Sequence, residues 1–251
     1  MTNQAAIIGM GDWLETPPGH HLMAWEQGLL DEVVADVFGY HALQLGLPEL
    51  DALRANRMPH RWVGHTESPV GLGQGRRVGL HCLPEALPFP GESLDLVVLP
   101  HTLELSDDPH QCLAEAVRVL RPEGRVVICG FNPASLWRWR REGLPTAVEW
   151  LHPRRVRDWL RLLSCELAAQ HHGLYRPPFH TPGWLVRSAW MEAWGARWWP
   201  PFGAAYMIVA IKRVRGMRWV GLARSARQTA SSGRAVPVLG RVPRVPDNPA
   251  P

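Results

Sequence analysis

At 251 residues the chain is long enough to bury a sizeable core in one domain. Its 46% hydrophobic and 20% charged residues exclude a low-complexity or fibrous chain. The net charge of +4 averages two unlike parts: residues 1–212 carry 19 basic and 22 acidic side chains, whereas 213–251 carry eight arginines and a single acid, Asp247.

The arginine-rich segment is also rich in Pro, Gly and Ser, and reads as a solvated, disordered tail over 215–251. Its charge suits weak, nonspecific attraction to nucleic acid or acidic lipid; no specific nucleic-acid partner is predicted. The longest apolar run, 204–211, falls far short of the roughly 20 residues that span a bilayer. The N-terminus has no basic, then apolar, leader pattern, so the expected compartment is the cytoplasm. Cys82, Cys112, Cys129 and Cys165 form no C-x-x-C pair, and H-E-x-x-H does not occur, so no metal centre is expected. G-x-S-x-G and the Walker A pattern do not occur either, which argues against a serine hydrolase and a P-loop enzyme.

In chain order, 1–21 form a lead-in, and the predicted domain runs over 22–214. Leu22, Trp25, Leu29, Val33 and Val37, widened by Leu30 and Val34, predict an amphipathic helix over 22–37. HALQLGL (41–47) predicts a strand closed by Gly46 and Pro48, 49–57 a short helix, and 60–65 and 78–82 two weaker strands. LDLVVLP (94–100) has the composition of a strand buried on both faces. Asp107 or Asp108 then offers an N-cap, and Pro109 suits the first turn of a helix reaching about Arg121. RVVICG (125–130) is a second buried strand, so 94–130 predict a βαβ unit in a parallel sheet with its two strands side by side or nearly so. Further on, 153–163 read as a helix, 165–175 as a strand, 182–199 as a tryptophan-rich helix and 204–214 as a last strand. Trp184, Trp190, Trp194, Trp198 and Trp199, with Arg187 and Arg197, fit core or lid packing, or a surface for a membrane or a lipophilic substrate.

The stretch 83–133 carries two motifs together. Glu85, Leu87, Pro88, Phe89, Ser93, Leu94 and Asp95 form E-x-L-P-F-x-x-x-S-L-D before one strand; Arg118, Val119, Leu120, Pro122, Glu123 and Gly124 form R-V-L-x-P-E-G before the next. This stretch resembles the middle of class I S-adenosylmethionine-dependent methyltransferases, in the group that includes ubiquinone and menaquinone biosynthesis enzymes. GFNPASLW further resembles an uncharacterised proteobacterial branch. The resemblance implies a Rossmann-like α/β fold, a mostly parallel seven-stranded sheet with helices on both faces, and S-adenosyl-L-methionine as cofactor.

It also implies where the cofactor lies, and there the sequence departs from the family pattern. Gln44 stands where the first strand usually ends in an acid. Gly46 is kept, but Pro48 and Leu50 replace later glycines of the loop. Glu67 is the nearest candidate for the ribose-binding acid. Leu83 stands where an aspartate accepts from the adenine amino group, Pro84 lacks the following N–H, and Glu85 completes that turn. Pro100, His101, Thr102 and Glu104 follow the fourth strand, where methyl transfer takes place. His101 is the candidate general base, and Asn132 and Pro133 are candidates for the acceptor side. Two functions follow: a methyltransferase for a small-molecule acceptor through a reworked pocket, or a methyltransferase-fold module without cofactor that binds a partner.

Overall fold

A computed structural model describes residues 10–66, 79–139, 149–177 and 190–213. These all lie within one compact unit, Met1–Arg215. Glu67, Trp184, Arg187, residues 182–189 of the predicted tryptophan-rich helix, and the segment 215–251 lie outside the described residues.

Seven strands form one sheet: β1 (His41–Leu45), β2 (His60–His65), β3 (Leu80–His81), β4 (Leu94–Pro100), β5 (Leu120–Phe131), β6 (Cys165–Gly173) and β7 (Ala205–Lys212). Their order is β3-β2-β1-β4-β5-β7-β6, with β3 to β5 parallel and β7 antiparallel to both neighbours. Helices among the described residues include α1 (Pro17–Ala35), the single turn α2 (Thr102–Leu105), α3 (Pro109–Val119), α4 (Pro153–Leu162) and α5 (Trp190–Trp198).

Strand alternation sorts the apolar side chains into two cores. Ala42, Leu96, Val98, Val127, Cys129 and Val209 face α1. Leu43, Val97, Leu99, Val126, Ile128 and Ile208 face α3 and α4. With both faces covered, the central strands are apolar at nearly every position, as a parallel sheet requires.

The sequence expectations meet the structure closely from β4 onward. Asp108 caps α3, its Oδ1 accepting from Gln111 N at 3.0 Å. Strand β5 starts earlier than expected, at Leu120, because Leu120 pairs with Leu94 before an irregularity in the ladder. The motif aspartate has a structural role. Asp95 Oδ2 accepts from Tyr40 N (2.8 Å) and His41 N (3.0 Å), and Oδ1 pairs with Arg121 (3.2 Å). It thereby ties the start of β1 to β4.

Two expectations before β4 are corrected. Helix α1 begins at Pro17 rather than at 22, because Thr16 caps it and two prolines suit its first turn. The predicted helix over 49–57 is a set of turns. Asn56 explains its end: Nδ2 donates to Val34 O (2.8 Å) and Val37 O (3.1 Å), closing the C-terminus of α1, while Oδ1 accepts from Met58 N. A side chain that serves another helix's free carbonyls stops its own segment from continuing as one.

Candidate functional site

Strands β1 and β4 are neighbours, but the chain leaves them toward opposite ends of the strand order, β1 to β2 and β4 to β5. Their C-terminal ends therefore flank the crevice where open α/β sheets bind ligands. Gly46 leaves β1 there in the left-handed region, at φ 73°. A Cβ at this position would be strained and would stand 3.1 Å from Thr102 Oγ1. Thr102 Oγ1 in turn donates to Leu45 O at 2.5 Å, stitching the ends of β1 and β4 together.

Gln44 is buried behind this turn with its carboxamide fully used. Nε2 donates to Leu50 O (2.7 Å), Leu47 O (3.0 Å) and Gly46 O (3.3 Å), and Oε1 accepts from Ala52 N (3.0 Å). A carboxylate could not donate to these carbonyls, so the exchange of acid for amide belongs to the shape of this loop. The loop folds inward, with Leu47, Leu50, Ala52 and Leu53 buried in the α1-side core.

At the end of β4 the side chains form a closed ionic cluster. His101 is fully buried and left-handed (φ 54°), a conformation costly for a residue with a side chain. Its Nδ1 donates to Glu104 Oε2 and its Nε2 to Glu26 Oε1, both at 2.8 Å. Glu104 Oε1 accepts from Phe131 N at 2.6 Å. Glu26 Oε2 is buried with no hydrogen-bond partner among the described residues. Burial alone would lower the pKa of His101. The charge of Glu26 and the bonds to both carboxylates more than reverse this and push it up to about 10. Burial raises the pKa of Glu104, partly offset by His101 and Phe131 N. His101 is thus an imidazolium with both N–H groups committed. It has no lone pair to take a proton at neutral pH, so the base role expected for it has no support in this geometry.

The other candidates are placed as follows. Pro100 is buried beside this cluster, at the end of β4. Leu83, just past β3, is 58% exposed, an apolar side chain on the surface. Glu85 is half-buried, and its Oε1 accepts from Ser106 Oγ, joining the turn after β3 to the end of α2. Asn132 is a brace rather than an open group: Nδ2 donates to Pro201 O (2.7 Å) and Gly203 O (2.9 Å), and Oδ1 accepts from Ala134 N (3.1 Å). Pro133 beside it is half-buried. Glu26 was not among the sequence candidates. The signal for it was present: it lies four residues from both Leu22 and Leu30, a charge on the buried stripe of α1.

A methyltransferase domain family matches residues 69–128. The uncharacterised protein YafS of Escherichia coli K12 is 36% identical over 217 residues, covering 82% of each chain. Among solved structures, a methyltransferase from Archaeoglobus fulgidus dependent on S-adenosylmethionine superposes with TM-score 0.56 at 15% identity, over 76% of this chain and 94% of that one. A Thermotoga maritima methyltransferase, described as a possible histamine N-methyltransferase, gives TM-score 0.55 at 16% identity, over 75% and 89%. At such identities the superpositions speak for the fold alone. The chain belongs to one family with YafS; it carries a methyltransferase-domain match over residues 69–128 and has the fold of class I S-adenosylmethionine-dependent methyltransferases.

Proposed function

We propose that the protein is an active methyltransferase for a small-molecule acceptor, with S-adenosylmethionine across the C-terminal ends of β1, β3 and β4. The observation that carries this reading is the buried Glu26 Oε2, which lies beside His101 and has no hydrogen-bond partner among the described residues. The cluster gathers carboxyl oxygens at the switch point, which complement a sulfonium cation. The left-handed Gly46 fits a close approach of the same ligand at its Cα, since its N–H donates to Gly64 O (2.9 Å) and its carbonyl accepts from Gln44.

In this reading the missing Cβ of Gly46 leaves room for the methionine part of the cofactor, and Pro100 lines the floor. Leu83 offers an apolar surface to the adenine ring. Glu85, with one oxygen held by Ser106, keeps that turn in place. Glu67 is the candidate for the ribose hydroxyls. When bound, the cofactor supplies a methyl group on an electrophilic sulfonium centre, so the protein's main contribution is alignment. Glu26 is fully buried and, like His101 and Glu104, positions the ends of α1, β4 and β5 behind the site, while the proton that the acceptor's nucleophilic atom gives up leaves to solvent. His101 donates to Glu26 Oε1 and fixes the carboxylate's orientation, and Glu104 fixes His101; all three are positioning residues.

A second reading, a methyltransferase-fold module without cofactor, is favoured by the loop after β1. Gln44 satisfies that loop internally, and Leu47 and Leu50 are buried where the family pattern has open glycines. A thermal-shift titration separates the two. Ligand at about 100 times its Kd stabilises a protein by about 2.7 kcal/mol, a clear rise in melting temperature. An enzyme shows this rise with S-adenosylmethionine and S-adenosylhomocysteine; no shift with either at millimolar concentration supports the module.

A further inference from the structure

The outer face of α5 carries a row of exposed tryptophans. Trp190, Trp194 and Trp198 follow one another at four-residue spacing and are 61%, 57% and 64% exposed. Trp199 and Phe202 extend the row past the helix end, each more than half exposed. Scattered exposed apolar side chains are ordinary, but a contiguous aromatic row marks an interaction surface.

The helix is held so that this row stays outward. Gly195 faces the body, where a Cβ would come within 2.2 Å of the Tyr175 ring. Glu192 is also turned inward, accepting from Leu174 N (2.8 Å) and Tyr175 N (3.3 Å). Tyr175 Oη donates to Pro200 O at 2.9 Å and fixes the turn that follows. With its one acid committed inward, the outer face of the helix carries a single charge, the exposed Arg197.

We propose that α5 is a docking surface for an anionic phospholipid bilayer, lying in the headgroup region rather than crossing it. Its nine residues span only about 14 Å, far less than a hydrocarbon core. Tryptophan with a cation and no outward acid is the composition that suits a membrane–water interface. The charge of the chain agrees: residues 213–251 carry eight arginines against one aspartate, a second attraction to anionic lipid. A two-fold contact between copies fits less well, because it would bring one Arg-bearing face against itself with no outward acid on that helix to pair.

The test is co-sedimentation of the full chain with vesicles of phosphatidylcholine alone and of phosphatidylcholine with phosphatidylglycerol, with light scattering of the protein in solution. Wild type should bind the phosphatidylglycerol vesicles and much less to the neutral ones, with affinity falling as salt rises. The combined variant Trp190→Gln, Trp194→Gln and Trp198→Gln should keep its melting temperature, since all three side chains are exposed. It should bind at least about tenfold more weakly. Arg197→Gln should cost about fivefold. The proposal is overturned if wild type ignores phosphatidylglycerol, binds both vesicles equally, or is matched by the triple variant. It is equally overturned if wild type stays off vesicles and forms a dimer that the triple variant abolishes, since a second copy would then be the occupant.

Discussion

The two halves of the parallel sheet share one architecture and differ in chemistry. In β4, α3 and β5, the apolar residues face two cores, Asp108 caps the helix, and Asp95 braces the neighbouring strand. In β1, β2 and β3, β3 has two residues and the turn after β1 is held by the side chain of Gln44. The β4–β5 half keeps the motifs of the superfamily because they are structural. Asp95 holds the backbone amides of Tyr40 and His41. The β1–β3 half departs where the family pattern exists to admit a ligand, and the departures there are compensated by new internal bonds. Fold and cofactor pocket are therefore separable demands on one sheet, and substitutions should separate them too.

The largest effect is expected at the junction of the halves. His101→Ala leaves Glu26 and Glu104 buried without the charge between them, and should destabilise by about 3–5 kcal/mol in denaturant unfolding. A loss below about 1 kcal/mol would mean that the cluster does not hold α1 to the sheet. Its pH dependence has a definite sign. The folded pKa of His101 is raised to about 10, above the ordinary value of about 6.5. Its stabilisation is fully present below the ordinary value and is lost as pH rises through about 10. Unfolding followed from pH 6 to 10 should show this fall in wild type and not in His101→Ala.

Next comes Gln44→Leu, which leaves Ala52 N and the carbonyls of Leu47 and Leu50 without their partner. A cost of about 2–3 kcal/mol is expected, readable from the urea midpoint. Gln44→Glu restores the usual acid of the family but should also destabilise, because a carboxylate cannot donate to those carbonyls. If it stabilised instead, the turn would not depend on the amide.

A smaller effect is expected at Asp95. Burial raises its pKa, but the amides of Tyr40 and His41 and the charge of Arg121 outweigh this and hold it below the ordinary value. Its contribution is present above the ordinary carboxylate range and is lost as pH falls through the lowered folded value. Asp95→Asn should cost about 1–2 kcal/mol at neutral pH by thermal unfolding, and the gap to wild type should narrow in acid.

The smallest stability effect is expected at the exposed Leu83. Leu83→Asp should change stability by no more than about 0.5 kcal/mol. By restoring the acceptor for the adenine amino group it should tighten S-adenosylmethionine binding about tenfold by calorimetry. Unchanged affinity would place the adenine elsewhere.

What was legible in the sequence follows the same division. Strands buried on both faces announce themselves as continuous apolar runs, and the Asp-Pro start of α3 is a local signal, so β4, α3 and β5 could be read, though α3 ends at Val119 and β5 begins at Leu120. The turns over 52–55 could not, because Asn56 finds its partners on α1, 19 and 22 residues away. Glu26 escaped because hydrophobic periodicity registers the leucines around it and passes over one charge. His101 and Glu104, three residues apart on one turn, were visible as candidates. That their charges close on a carboxylate 75 residues earlier in the chain is a tertiary fact, and it turns a candidate base into a fixed cation.

The central claim is that the reworked β1–β3 half still admits the cofactor beside the Glu26–His101–Glu104 cluster. Isothermal calorimetry of the full chain with S-adenosylhomocysteine tests it most directly, with Gly46→Val as control. Wild type should give a saturable heat, with weaker affinity than superfamily members that keep an open glycine loop. Gly46→Val should give none, since its Cβ is strained at φ 73° and projects onto Thr102. No heat from wild type at millimolar ligand would contradict the claim and leave the fold as a binding module.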